Sequence, residues 1–258
     1  MVAGLCALTV TGAMAQTDEN RTAVAGLDAE AVEVLTRATD FLAAQERLAV
    51  DWFVSFDVVI EGREKITLVR SGQNLLERAN GLYASVEFGE ETREFYYDGT
   101  AVHIVDVEEN SYVMAPFAMG VEALAERLSQ EYDVRLPIWQ LMSGSPGRNL
   151  LEGVTAAAHL GITRLAGRPA HHLAFSDHDR DLQIWVADDP ERPEILMIVG
   201  TDPYTQGWPQ FRAYFTRWDF EPEVTPGVFN FVPDEAAERM TWPRPVSETG
   251  DTTDGAGE

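Results

Sequence analysis

DWFVSFDVVIEG, residues 51–62, sets Trp52, Val54, Phe56, Val58 and Ile60 at alternate positions. Successive side chains of a strand point to opposite faces, so this spacing makes a long strand with one apolar face. The stretch before it has a different period. Asp28 can cap a helix from Ala29, and Ala31, Val34, Leu35, Ala38, Phe41 and Leu42 recur at helical spacing. Gln45 interrupts that stripe and Leu48 resumes it. Alternation continues at Ile66 and Leu68 after a turn at Glu61-Gly62. Strand-like runs follow at 82–88, 93–97, 101–107 and 111–115, with Asp98-Gly99 and Glu109-Asn110 as hairpin turns.

Helical spacing returns over 121–132, and residues 150–160 read as a further short helix. Strands resume at 161–165, 170–176, 182–187, 194–200 and 211–220. A short strand is expected at 229–232 and a closing helical turn at 234–240. The order is helix, strands, helices, strands. It predicts an α+β fold: a large antiparallel sheet, curled into an unclosed half-barrel, capped by a few helices over an apolar interior. Roughly ten strands of this kind tend to curl, and two or three helices cannot cover both faces.

The ends differ from this pattern. Residues 1–15 are short, apolar and rich in small side chains, and close on Ala13-Met14-Ala15, as a signal peptide does. The basic start of such a peptide is missing. Cys6 has no lipobox, because Leu5 stands where a small residue is needed. Residues 16–26 are then expected to be a flexible mature N-terminus, 27–243 a single domain, and 244–258 a disordered acidic tail. The only cysteine would leave with the signal, which excludes thiol catalysis, cysteine-bound zinc and disulfides. No later segment approaches the roughly 20 apolar residues of a membrane span. A soluble, periplasmic protein is expected.

A formal net charge of −24 argues against nucleic acid and anionic membrane surfaces as partners. Lys65 is the one lysine, and no Gly-Lys-Ser/Thr phosphate loop occurs. Histidines and aspartates crowd residues 168–189. Asp177, Asp179, Asp181 and Asp188 have calcium-loop spacing, but Leu182 stands where the loop needs glycine and the flanks are strands. His171 and His172 are adjacent in a strand and face opposite ways; His171 shares the inward face of Leu173 and Phe175. His103 and His159 stand isolated in sequence. Residues 143–147, SGSPG, lack the spacing of a hydrolase nucleophile elbow. No cofactor, no metal site and no catalytic residue is expected.

The run REFYYDGTAVHIVDVEENSYVMAPF, then LPIWQLM, then AAAHLGITRLAGRPAHHLAFSDHDRDLQIWV, then RPEILMIV resembles a family of predicted periplasmic bacterial proteins. The resemblance covers about residues 27–240. That family is similar to the LolA/LolB and LppX superfamily of lipoprotein and lipid carriers, which implies a curled sheet over a hydrophobic cavity. Strand parity and that plan together nominate Phe56, Val58, Leu68, Tyr97, Ile104, Leu173, Phe175 and Ile184 as cavity residues. Two functions are open. One is a non-enzymatic carrier or sensor of a lipid, acyl chain or lipoprotein anchor. The other is a cell-envelope interaction module with a packed core and a protein partner. Export has a direct test: N-terminal sequencing of the protein from the periplasmic fraction is expected to begin at Gln16, and an intact Met1 would refute the cleavage.

Overall fold

The structure is a computed structural model and describes residues 26–245. The expected signal peptide, its cleavage point and most of the acidic tail lie outside these residues. Helix α1 (Ala29–Ala43) starts where Asp28 caps it, the carboxylate accepting from the Glu30 N–H at 3.0 Å. Its buried stripe is Ala31, Val34, Leu35, Ala38 and Leu42. The helix ends before Leu48, which belongs to the next strand and is buried there.

Strands β1 (Arg47–Ile60) and β2 (Glu64–Glu77) form a long hairpin, turned by Glu61 and Gly62, both at positive φ. Four strands then meander: β3 (Gly81–Phe88), β4 (Glu91–Tyr97), β5 (Ala101–Asp106) and β6 (Ser111–Pro116). Gly99 and Asn110 take positive φ in the two turns read from sequence. Helix α2 (Val121–Tyr132) and the short α3 (Trp139–Met142) and α4 (Pro146–Leu151) follow. The second meander is β7 (Ala156–Leu165), β8 (Arg168–Ser176), β9 (Asp181–Ala187), β10 (Ile195–Thr201) and β11 (Gln210–Asp219). Two residues, β12 (Glu238–Arg239), pair parallel to β6.

These strands make one 12-stranded, mostly antiparallel sheet, in the order β12-β6-β5-β4-β3-β2-β1-β11-β10-β9-β8-β7. β12 and β7 are separate edges, so the sheet does not close. The two meanders join only at β1 and β11, where Val50 opposes Trp218 and Trp52 opposes Phe215 across a bulge.

Three expectations from sequence need correction. Residues 150–160 are not one helix: α4 stops at Leu151, and the alanine run starts β7. Alanine favours helix locally, but pairing Ala157 with Phe175 and His159 with Leu173 decides the outcome. Residues 229–232 form no strand, because Phe229 folds against Gly81, where no side chain would fit. Residues 234–240 hold β12 instead of a helical turn, with Glu238 N–H bonded to the Asn110 carbonyl at 2.9 Å.

One core lies on a single face of the sheet. Directly opposed residues share a face, so register traces it across the strands. Leu48–Leu76–Leu82–Tyr97–Val102–Ala115 is one such row. Ala213–Ile198–Ile184–Leu173 is another. Helix α1 packs on β7, β8 and β9. On the opposite face Tyr83, Tyr96, His103 and Tyr112 form a ring cluster, to which Phe231 adds.

Asn74 is the buried polar residue that ties a loop to this core. Its carbonyl accepts the Trp52 indole N–H at 2.7 Å, and its amide donates to the Pro137 carbonyl at 3.0 Å. Asn74→Ala leaves both partners unpaired, which costs about 1–3 kcal/mol per orphaned group. We expect Asn74→Ala to lower the unfolding midpoint clearly, and the similarly sized Asn74→Leu not to rescue it. Rescue by leucine would make the loss one of packing.

Candidate functional site

The segment 133–138 crosses the sheet between α2 and α3. Asp133 and Ile138 both take positive φ, 53° and 47°. A β-branched residue in that region is rare, and such positions cost of order 1–3 kcal/mol. Just before Ile138 the Asn74 amide donates to the carbonyl of Pro137 and ties this segment to β2.

Beneath this segment is a part-open cavity of about 500 Å³. Trp52, Val54, Phe56, Val86, Phe95, Ile138 and Phe211 give it an apolar lining. A second space of about 330 Å³ shares Val54, Ile138 and Phe211, and reaches Leu182, Ile198 and Phe215. Register explains why these side chains meet. Val54 opposes Ala213, Phe56 opposes Phe211, and Trp52 opposes Gly72, which in turn opposes Val86. Two glycines let the rings lie against the sheet. A Cβ on Gly72 would stand 2.6 Å from the Trp52 ring, and one on Gly200 would overlap Phe211.

The eight residues nominated from sequence fall in different places. Phe56 lines the cavity. Leu68 opposes Phe56, and Val58 opposes Ile66, one step further toward the hairpin tip. Val58 is 36% exposed. Tyr97, Leu173, Phe175 and Ile184 are fully packed in the core, and Ile104 packs against that core partly buried. The Tyr97 hydroxyl donates to the Phe117 carbonyl at 2.9 Å. Trp52 lines the cavity too; the sequence reading places it on the inward face with Phe56 without nominating it, and misses Val54, which shares that parity. It also missed Phe211, Val86, Phe95 and Ile138. The first three could have been found only from register, and the fourth only from the path of a loop.

At the rim stand Arg70, Arg93, Arg135 and Glu91. The Arg70 guanidinium lies 5.1 Å from the Phe56 ring centre and 4.8 Å from that of Phe88. Arg93 is 3.8 Å from Glu91, and Arg135 is 3.7 Å from Asp133.

The histidine-rich stretch is a hairpin. Asp177 accepts from the Asp179 and Arg180 N–H groups and from the Arg180 side chain, and so builds the turn between β8 and β9. His172 stacks on Trp185 on one face. On the other face His171 meets His159, isolated in sequence but here 3.0 Å away, one ring nitrogen donating to the other. A bulge between His159 and Ile162 sets this pairing, which sequence periodicity does not show. Glu30 lies 3.6 Å from His159 and Asp188 lies 3.3 Å from His171. Among the described residues no group of three or more such side chains is placed to hold a metal ion.

Burial pushes the His171 imidazole below its ordinary value, against the pull of Asp188. Burial likewise lowers His103. As the pH falls through about 6.5 the unfolded chain therefore protonates these rings before the folded chain does. Stability contributed by the neutral rings is present above about pH 6.5 and lost as the pH falls below it. Denaturant titrations should show that slope, and His171→Gln with His103→Gln should flatten it. An unchanged slope would remove both rings as its source. The lowered carboxylates Asp57 and Asp177 act in a separate window, below their ordinary value of 3.8.

A search of curated proteins found no match. Solved structures of similar architecture include LprF from Mycobacterium bovis, with TM-score 0.47, 9% identity, and 80% of this chain and 100% of that one covered. A LolA superfamily protein from Nitrosomonas europaea has TM-score 0.34 and 11% identity, over 78% of this chain and 97% of that one. The MucA/MucB complex of Pseudomonas aeruginosa has TM-score 0.44 and 15% identity, over 79% of this chain and 62% of the matched one. The model of the family DUF2092, described as "Predicted periplasmic protein", matches residues 31–241. The chain belongs to this family of periplasmic proteins.

Proposed function

We propose that this protein is a non-enzymatic periplasmic carrier or sensor that encloses a lipid, an acyl chain or a lipoprotein anchor. The observation that carries the reading is the apolar cavity of about 500 Å³ on the core face of the sheet. Its size is that of a small-ligand site, and rings and aliphatic groups line it. Each methylene moved from water into such a lining contributes about 0.8 kcal/mol, so ten contribute about 8 kcal/mol. That exceeds the lower end of the association cost, about 4–15 kcal/mol. An acyl chain that also reaches the adjoining 330 Å³ space can therefore bind usefully.

A path toward the cavity supports the same reading. Beyond Phe56 and Leu68 the same strand face carries Val58, Ile66 and Ile60, which are 36%, 42% and 42% exposed. This apolar track runs from the cavity to the β1–β2 tip. The second reading, a protein-interaction module, draws on the same tip, because Trp208 and Tyr204 are exposed on the adjoining loop.

Volume substitutions separate the two readings. Val86 lines the cavity and is only part-buried, so Val86→Trp grows into open space. It is expected to weaken binding of a fluorescent fatty-acyl probe by about tenfold or more, with little change in melting temperature. Leu173→Trp enters a packed site and is expected to cost about 1–3 kcal/mol of stability. Saturable wild-type binding that Val86→Trp reduces supports the carrier. No saturable binding by delipidated wild type to any of several acyl probes would leave the interaction module.

A further inference from the structure

We infer that the ligand is an amphiphile with an anionic head, a carboxylate or a phosphate, held at the cavity mouth by Arg70 with Arg93 and Arg135. The inference rests on the carrier reading and adds to it the chemical class of the ligand. The chain carries 43 acidic residues against 19 basic ones. At the rim of the cavity the balance is reversed, three arginines to Glu91 and to Asp133 beside Arg135. Ionic screening acts over about 8 Å in physiological salt, so this local balance, and not the distant surface charge, sets the field at the mouth.

Arg70 is placed by register. It opposes Val54 and so emerges on the cavity face, beside Phe56 and Phe88. Ring contacts engage the faces of the guanidinium and leave its N–H edge for a two-oxygen anion. Among the described residues no carboxylate lies within ion-pair distance of Arg70. Arg93 and Arg135 have carboxylates at 3.8 and 3.7 Å, with both partners of each pair largely exposed. Such contacts are weak and can be exchanged for a ligand oxyanion. The rim thus offers one uncommitted planar cation on an aromatic seat and two that are loosely held. A head of that charge fits where the apolar lining ends.

The test is calorimetric titration of the delipidated chain with four hexadecyl amphiphiles, each below its micelle concentration. They are hexadecanoate, hexadecyl phosphate, monohexadecanoylglycerol and hexadecyltrimethylammonium, with inorganic phosphate alone as a fifth arm. A net charge-assisted hydrogen bond corresponds to about tenfold or more in affinity, so both anions are expected to bind about tenfold tighter than the neutral glyceride. Arg70→Gln should bring that ratio to about threefold or less, and Arg70→Lys should restore only part of it. The ratio should also fall in about 0.5 M salt, and persist in Arg164→Gln, a charge change remote from the cavity. Inorganic phosphate alone should not displace a bound amphiphile; displacement would show that the rim reads a free anion and overturn the amphiphile head. Equal binding of anionic and neutral chains, or preference for the cationic one, would overturn the inference and leave the carrier intact. No saturation by any of the four would remove the carrier reading as well.

Discussion

Strand β1 is the member on which the rest of the structure depends. Its fourteen residues pair along their whole length with β2 on one side, and its residues 49–56 pair with β11, the last strand of the second meander, on the other. Without the β1–β11 seam there would be two separate meanders of about half a sheet each. With it there is one 12-stranded sheet. A sheet this wide accumulates twist and curls. The four helices among the described residues are few and two of them are one turn or little more, so they cover the core face only in part. The cavity is the space left between the sheet face and the 133–138 segment that crosses above it. It needs no dedicated motif, which is why none is found in the sequence.

Much of the sheet was legible because its signal is local. The alternation in residues 51–62, the turns at Gly62, Gly99 and Asn110, and the cap at Asp28 each follow from a few neighbouring residues. What could not be read depends on partners far along the chain. The alanines at 156–158 are helical by propensity and become strand because Phe175 and Ala174 lie opposite. His159 looks solitary until a bulge turns it toward His171. The cavity suffered most from this. Parity names the correct face for Phe56, but which residues on that face meet packed neighbours, as Leu173 does, and which meet open space, as Val86 does, depends on where the helices end.

The cavity wall is held by polar bonds where apolar contacts would not suffice. Trp52 could lie flat over Gly72 by packing alone, but its indole N–H would then be buried unpaired. Asn74 satisfies it and uses its other end on Pro137. One side chain therefore orients the ring on the cavity floor and fixes the segment above it. Ile138, strained and shared between the two spaces, is the residue this arrangement holds in place. The cavity floor and the segment above it thus share a single buried amide.

The two faces of the sheet are treated differently. On the outer face the chain after β11 returns over β3 to β6, seating Phe229 on Gly81 and Phe231 among Tyr96, His103 and Tyr112. Ring contacts there close over aromatic surface that a wide sheet would otherwise expose. On the inner face no such return occurs past Phe56 among the described residues, and Val58, Ile60 and Ile66 stay partly exposed. The apolar surface these side chains keep in water contributes nothing to folding, because the gain scales with the area buried. The track is continuous with the cavity lining at Phe56, and Arg70, opposite Val54 two residues further in, stands beside the same ring.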